Sequence, residues 1–353
     1  MRLEKRATQS SWAMALAPLA AIAVTLTLGS LLVVWTGAPV GRTWGLMVQG
    51  AFGSVFAWTE TLTRAIPLML TGLAATVAFK ARLFNIGAEG QLYAGALAAV
   101  AIGGAQASEA LSMPMGVVFA LMMLAAALAG ALLLLGPALL KARLGVDEVV
   151  TTLLLNFIVL LLVSAMLDGP MKDPMAMGWP QSVSLNTELE LSRLVERTRL
   201  HSGLLWALGL AVGVWALLKY TVLGFDIRAL GANDRAAAFV GVPVTRTVVL
   251  VAMLSGALAG LAGAIEVAGR TSYVTLDMSP GYGYSGIVVA MLAGLHPLGV
   301  IAASLFIAGV LVGADSMSRA LGVPTYLADV IVAVSLLCVL VAALLTQYRL
   351  RRG

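Results

Sequence analysis

Most of the chemistry in this chain is concentrated in a few short runs of an otherwise apolar sequence. From Phe84 to Ala96 the run FNIGAEGQLYAGA sets Asn85, Glu89 and Gln91 among glycines. Hydrocarbon offers such groups no partners, and an ionised side chain at the bilayer centre costs roughly 2.5 to 3.5 kcal/mol on insertion scales. The run must therefore face protein or water, which makes it the first candidate for a stretch of a solute path. If it is helical, Asn85 and Glu89 lie four apart and share a face, whereas Gln91 points away unless glycine breaks the helix. Glu148, Thr152 and Asn156 form a second polar set at i, i+4 and i+8. Asp147 and Glu148 also suit a helix N-terminus, where acids cap backbone N–H groups and complement the dipole; Asn156 lies deeper. Tyr282 and Tyr284 could stack on a base or ring, or belong to an interfacial belt. The candidate translocation path is thus Asn85, Glu89, Gln91, Glu148, Thr152, Asn156, Tyr282 and Tyr284. A structural hydrogen bond to helix ends around Gly87 and Gly90 competes for Glu89, and pairing with Arg270 at i+4 is the expected role of Glu266.

The elements that hold these residues follow from composition. Of 353 residues 60% are hydrophobic and only 11% charged, against about 25% charged in an ordinary soluble domain. The expected fold is all-α: a polytopic transmembrane bundle of about ten helices, forming a single transmembrane domain over the whole chain. Measured against the ~20 residues needed to span hydrocarbon, spans fall near 12–36, 61–79, 85–105, 113–140, 147–167, 203–219, 247–268, 284–295, 297–314 and 327–346. Span 284–295 is too short to cross alone, and the glycines and polar residues of 85–105 suggest a broken helix. Residues 43–60, with Trp44, Phe52, Phe56 and Trp58, could lie flat at an interface. The first span exceeds a signal h-region and reads as a retained helix. Segments 70–100 and 254–294 share a glycine-rich helix, a polar loop and a broken helix with the loops on opposite sides, the pattern of an inverted repeat.

Most of the 22 Lys and Arg residues fall on one side if both termini are cytoplasmic, among them Arg2, Lys5, Lys80, Arg82, Lys141, Arg143, Lys219, Arg228, Arg235, Arg246 and Arg349. The net charge of +5 is then a topology signal rather than a nucleic-acid surface. Cys338 is the only cysteine, so no intrachain disulfide forms. His201 and His296 are the only histidines, which leaves no zinc cluster and no hydrolase triad. No G-x-x-x-x-G-K-[ST] loop is present, so ATP is not bound by that device, and no cofactor is expected.

Two interruptions of any size stand out. The stretch from Asp168 to Ser202 should lie outside the membrane, with Leu189, Leu191, Leu194, Val195 and Leu200 spaced loosely like an amphipathic helix; a solvated cap and a docking surface are both open. The stretch from Tyr220 to Thr247 should lie inside. In it Asn233 is a good N-cap, Asp234 to Val240 a short helix, and Gly241 with Pro243 its end. Two turns are unstable alone in water, so this helix needs a surface in its own chain or in a partner.

The segments LFNIGAEGQLYAGALAA, GVDEVVTTLLLNF, LGANDRAAAFVGV and GYGYSGIVVAMLAGLHPLG, in this order, resemble the permease subunits of ATP-binding-cassette importers, in the branch that takes up nucleosides and simple sugars. The resemblance implies a bacterial inner-membrane subunit that moves a solute inward by ATP-driven alternating access. It implies a separate ATPase, a second permease and an extracytoplasmic binding protein or lipoprotein. It also implies that the loop with Gly231, Asn233, Asp234, Arg235, Ala236, Ala237, Phe239 and Gly241 is the coupling segment that fits a cleft on the ATPase. Length and an extra first helix are closer to the longer of two permeases encoded side by side. Simple sugars are the main rival substrates and branched-chain amino acids a weaker one. A carrier driven by an ion gradient through Glu89 or Glu148, or a structural subunit with no path, are the competing classes.

Overall fold

The computed structural model describes residues 39–322 without a break, together with 2–5, 348–351 and parts of 23–37 and 329–341. Among these the helices are α1 (Leu26–Trp35), α2 (Val40–Phe52), α3 (Val55–Lys80), α4 (Ala88–Gly103), α5 (Ala105–Ala110), α6 (Met115–Leu144) and α7 (Glu148–Asp168). They continue with α8 (Gly203–Tyr220), α9 (Val222–Ala232), α10 (Asp234–Phe239), α11 (Val244–Glu266), α12 (Tyr282–Leu292) and α13 (Pro297–Leu321). The terminal segments β1 (Arg2–Lys5) and β2 (Tyr348–Arg351) pair antiparallel.

The polytopic helical bundle is as expected. By length and composition α3, α6, α7, α8, α11 and α13 are long and apolar enough to cross a membrane. The spans at 85–105 and 284–295 form the shorter helices α4 and α12, of 16 and 11 residues. The spans expected at 12–36 and 327–346 fall largely outside the described residues.

The chain divides into two compact units, Met1–Thr61 with Leu305–Gly353, and Leu62–Ser304. In the first, Val33, Met47, Ala314, Met317 and Val332 form a core. Helix α2 turns Thr43, Met47 and Ala51 inward at i, i+4 and i+8 and leaves Val48 and Phe52 exposed. The segment 43–60 is not one continuous element, since α2 ends at Phe52 and Phe56 and Trp58 already belong to α3.

The second unit is built around α4, α6 and α11, which meet backbone to backbone. A Cβ on Gly95 would run into the Gly260 carbonyl, one on Gly260 into that of Ala126, and one on Gly256 into that of Gly130. Between helices in lipid, where no hydrophobic force draws them together, such close approach of small residues supplies the packing. Gly260→Leu should therefore overpack this crossing and cost at least about 1–3 kcal/mol. Gly136→Leu, on a face of α6 where an added Cβ would meet nothing within 4 Å, should leave the melting temperature in detergent unchanged. Equal melting of the two variants would contradict this packing.

Helix α7 ends the unit on one side. Its inward stripe runs Glu148, Thr152, Asn156, Val159, Val163, Leu167, while Val150, Leu154, Phe157, Ile158 and Leu161 are exposed.

The segment 168–202 corrects the sequence reading. In place of an amphipathic helix there is only a 3-10 turn at Thr187–Leu189. The rest is turns and short extended stretches, the latter bonded to residues that follow α11: Ser182 N–H donates to the Val274 carbonyl (3.0 Å), Leu185 to Ser272 (2.7 Å) and Leu191 to Ala268 (2.8 Å). Leu189, Leu191 and Leu200 are buried while Leu194 and Val195 stay exposed. Extended backbone satisfies its N–H groups on this neighbour and still buries those three leucines, which a free-standing helix would not do.

His201, in the same segment, is fully buried, and its Nδ1 accepts from the Gly203 N–H at 3.2 Å. Burial, with the nearby Arg270 charge, pushes its pKa down to about 4. Between pH 6.5 and 4 the unfolded chain takes up a proton that the folded chain refuses. Stability that is complete above pH 6.5 is thus lost as pH falls, by about 3 kcal/mol at the lower end. Melting temperatures over pH 4–7 should fall less steeply for His201→Leu than for the parent; parallel curves would contradict this.

Candidate functional site

Between α3 and α4 the chain leaves helical geometry at residues 81–87, where Ala81, Leu83, Asn85 and Gly87 are buried while Arg82 and Phe84 are exposed. Buried backbone groups outside a helix need other partners: Ala81, Arg82 and Leu83 bond back to the end of α3, and α7 serves several of those that follow. Phe84 N–H donates to Glu148 Oε1 (3.1 Å), Ile86 N–H to Thr152 Oγ1 (3.2 Å) and Gly90 N–H to Asn156 Oδ1 (2.8 Å). Asn156 Nδ2 in turn donates to the Ile86 carbonyl (2.9 Å) and to the Tyr284 hydroxyl (3.1 Å). The i, i+4, i+8 spacing of the α7 stripe matches the rise of the interruption beside it.

Asn85 lies before the first residue of α4, so the helical argument that separated it from Gln91 does not apply. The two side-chain amides form a reciprocal pair, Asn85 Nδ2 to Gln91 Oε1 (2.9 Å) and Gln91 Nε2 to Asn85 Oδ1 (3.0 Å). Asn85 also accepts from the Gly87 N–H (2.9 Å) and donates to Ser255 Oγ (3.2 Å). Glu89 does not share its surroundings. Its carboxylate accepts from the Gly283 N–H at 2.6 Å, at the first turn of α12. The N-termini of the two short helices therefore meet there, the arrangement expected of discontinuous helices in related halves. Gly283 fits because a Cβ would strike the Glu89 backbone.

Seven of the eight candidate path residues are thus buried inside the chain: Asn85, Glu89, Gln91, Glu148, Thr152, Asn156 and Tyr282. Tyr284 is 38% exposed. Asp147 serves as the N-cap of α7, accepting from the Val149 N–H at 2.8 Å, and Glu266 is ion-paired with Arg270. Sequence reasoning overlooked two members of the network. Lys141 Nζ reaches both Glu148 and the Arg82 carbonyl, each at 2.5 Å, and Ser255 links Asn85 to the Ala74 carbonyl (2.8 Å). Lys141 lies seven residues before Glu148 across the turn at Gly145, a helix-terminating glycine at φ +67°, and that spacing was the available signal.

The second candidate region has the local structure expected of it. Asn233 caps α10, accepting from the Ala236 N–H at 3.1 Å. Asp234 Oδ1 accepts from the Arg235 N–H (2.8 Å), and Gly241 turns the chain at φ +90°. Ala237 is buried, whereas Arg235, Ala236 and Val240 are exposed and Phe239 is 93% exposed. Gly231 abuts the Lys80 carbonyl at the end of α3, with no room for a Cβ. Helix α9, just before it, was missed. Gly224, Ile227 and Leu230 form its buried face, and Thr221 caps it through the Gly224 N–H (3.0 Å).

Membrane-length helices, two short helices meeting at their N-termini and a buried polar network around the break define a multi-pass membrane transport subunit. The chain belongs to the family described as branched-chain amino acid transport system / permease component, whose pattern matches residues 57–340. As a member of that permease family it is a non-catalytic membrane subunit. It is 35% identical over 327 residues to the guanosine ABC transporter permease protein NupP of Bacillus subtilis, covering 92% of both chains. It is 34% identical over 368 residues to the glucose ABC transporter permease protein TsgB13 of Haloferax volcanii, covering 100% of this chain and 95% of that one. It is 31% identical over 330 residues to the nucleoside ABC transporter permease protein NupB of Lactococcus lactis, covering 90% and 88%.

Proposed function

We propose that this chain is the permease subunit of an ATP-driven importer of nucleosides in a bacterial cytoplasmic membrane, with both termini cytoplasmic. The observation that carries the reading is likeness along nearly the whole chain to a guanosine permease at 35% identity, joined by a nucleoside permease at 31%. The antiparallel pairing of Arg2–Lys5 with Tyr348–Arg351 supports termini on one side. A family match running through residues of both compact units supports a single permease domain.

In this reading a separate ATPase receives α10 through Phe239, a second permease completes the path, and an extracytoplasmic binding protein delivers the solute. Closure of the ATPase pushes α10. Because Gly231 bears on the end of α3, the push reaches the interruption at 81–87, and the bundle tilts between two states. Asn85, Glu89, Gln91, Glu148, Thr152, Asn156 and Tyr282 meet solute only when that interruption opens, whereas Tyr284 already faces outward. The likeness to a glucose permease over the full chain favours sugars as the second reading. Uptake of labelled guanosine in cells with and without this chain separates the two. Competition by uridine and not by glucose is expected; competition by glucose alone would replace nucleosides with sugars.

A further inference from the structure

Where the segment 168–202 meets the end of α11, a cavity of about 330 Å³ opens at the surface; its walls include Trp179, Arg199, Arg270, Thr271, Tyr273 and Asp277. That size is at the lower end of small-molecule sites. Backbone bonds from Ser182 and Leu185 to Val274 and Ser272 fix one wall against the other. The cavity rests on uncommon backbone. Beyond Glu266, α11 continues as a π-turn over Val267–Thr271, and Ser272 follows at φ +62°. Such turns concentrate at functional sites.

The charges of the lining balance. Arg270 is ion-paired with Glu266 and also donates to the Met278 carbonyl at 2.8 Å, while Arg199 and Asp277 are opposite in sign. A polar cavity without net charge selects against ions and suits a neutral solute rich in donors and acceptors. Trp179, 63% exposed, and Tyr273 add ring faces on which a planar group can stack. The Oγ1 of Thr271 is buried just behind this wall without a hydrogen-bond partner, a polar group that a seated solute can satisfy.

We infer that this cavity is a holding site of the permease itself for a neutral, ring-bearing, hydroxyl-bearing solute of the nucleoside class. The inference rests on the importer reading and on the topology proposed with it, which puts the cavity on the delivery side. There solute released by the binding protein is kept beside the bundle until the path opens.

The assembled importer in nanodiscs, without binding protein, should bind labelled guanosine. Trp179→Ala should weaken binding about tenfold, Trp179→Phe should keep it, and Thr271→Val should weaken it about threefold. Guanosine uptake by proteoliposomes with binding protein is measured in parallel. If the vesicles accumulate guanosine but the parent binds none, or both weakening variants bind as the parent does, the inference fails and the importer reading stands. If only the dependence on binding-protein concentration changes, the cavity is a docking surface and the inference fails as well. Vesicles that take up glucose or ribose instead of guanosine overturn the nucleoside reading, and the binding assay with that sugar then judges the cavity.

Discussion

Phe239→Asp should reduce solute uptake to less than one-tenth while leaving the membrane subunit folded. The side chain is 93% exposed on α10, so the fold gains little from it, and an aromatic ring offered to water at the tip of a two-turn helix suits a partner's cleft. Truncating an anchor of this kind typically weakens association by about 2 kcal/mol or more, roughly 30-fold, and a carboxylate in an apolar cleft adds desolvation cost. Copurification of the ATPase with the tagged permease, alongside the permease's own melting curve, reads both parts. Undiminished copurification and uptake would remove α10 as the docking element.

Asn156→Leu should be the most damaging single change within the membrane. It strips the Gly90 N–H and the Ile86 carbonyl of their side-chain partner together. A buried backbone group left unsatisfied costs about 1–3 kcal/mol, so the two together cost about 2–6 kcal/mol. Phe157→Leu, one residue along on the exposed face, should change stability by less than about 0.5 kcal/mol. Melting of both variants in the same nanodiscs makes the comparison. Near-equal stabilities would mean that the α7 stripe does not hold the interruption in place.

Much of the architecture was legible in the sequence because lipid penalises ambiguity. A run of apolar residues long enough to span hydrocarbon has one dominant solution, and a polar, glycine-rich run such as FNIGAEGQ has few. Asn233, Gly241 and Pro243 fixed the ends of α10 by local chemistry alone, as cap, left-handed turn and helix breaker. Glu266 and Arg270 paired at helical spacing as expected. What could not be read was long-range. Nothing in the spacing of Glu148, Thr152 and Asn156 says whether their polar groups meet a solute or the backbone of another segment, and here they meet the backbone of Phe84, Ile86 and Gly90. Asn85 and Gln91 pair because the exception allowed for holds: the helix begins only after Gly87, so Asn85 lies outside it. The leucines of 168–202 misled because their burial is set by the end of α11, not by a periodicity of their own.

The central claim is that this permease moves solute inward only when a separate ATPase drives it. Proteoliposomes holding the permease pair and ATPase, with binding protein and labelled guanosine outside and ATP inside, test it directly. Uptake against a gradient that requires ATP and is indifferent to collapse of proton and sodium gradients is the expected result. Accumulation by vesicles lacking the ATPase, sustained by an ion gradient alone, would contradict it.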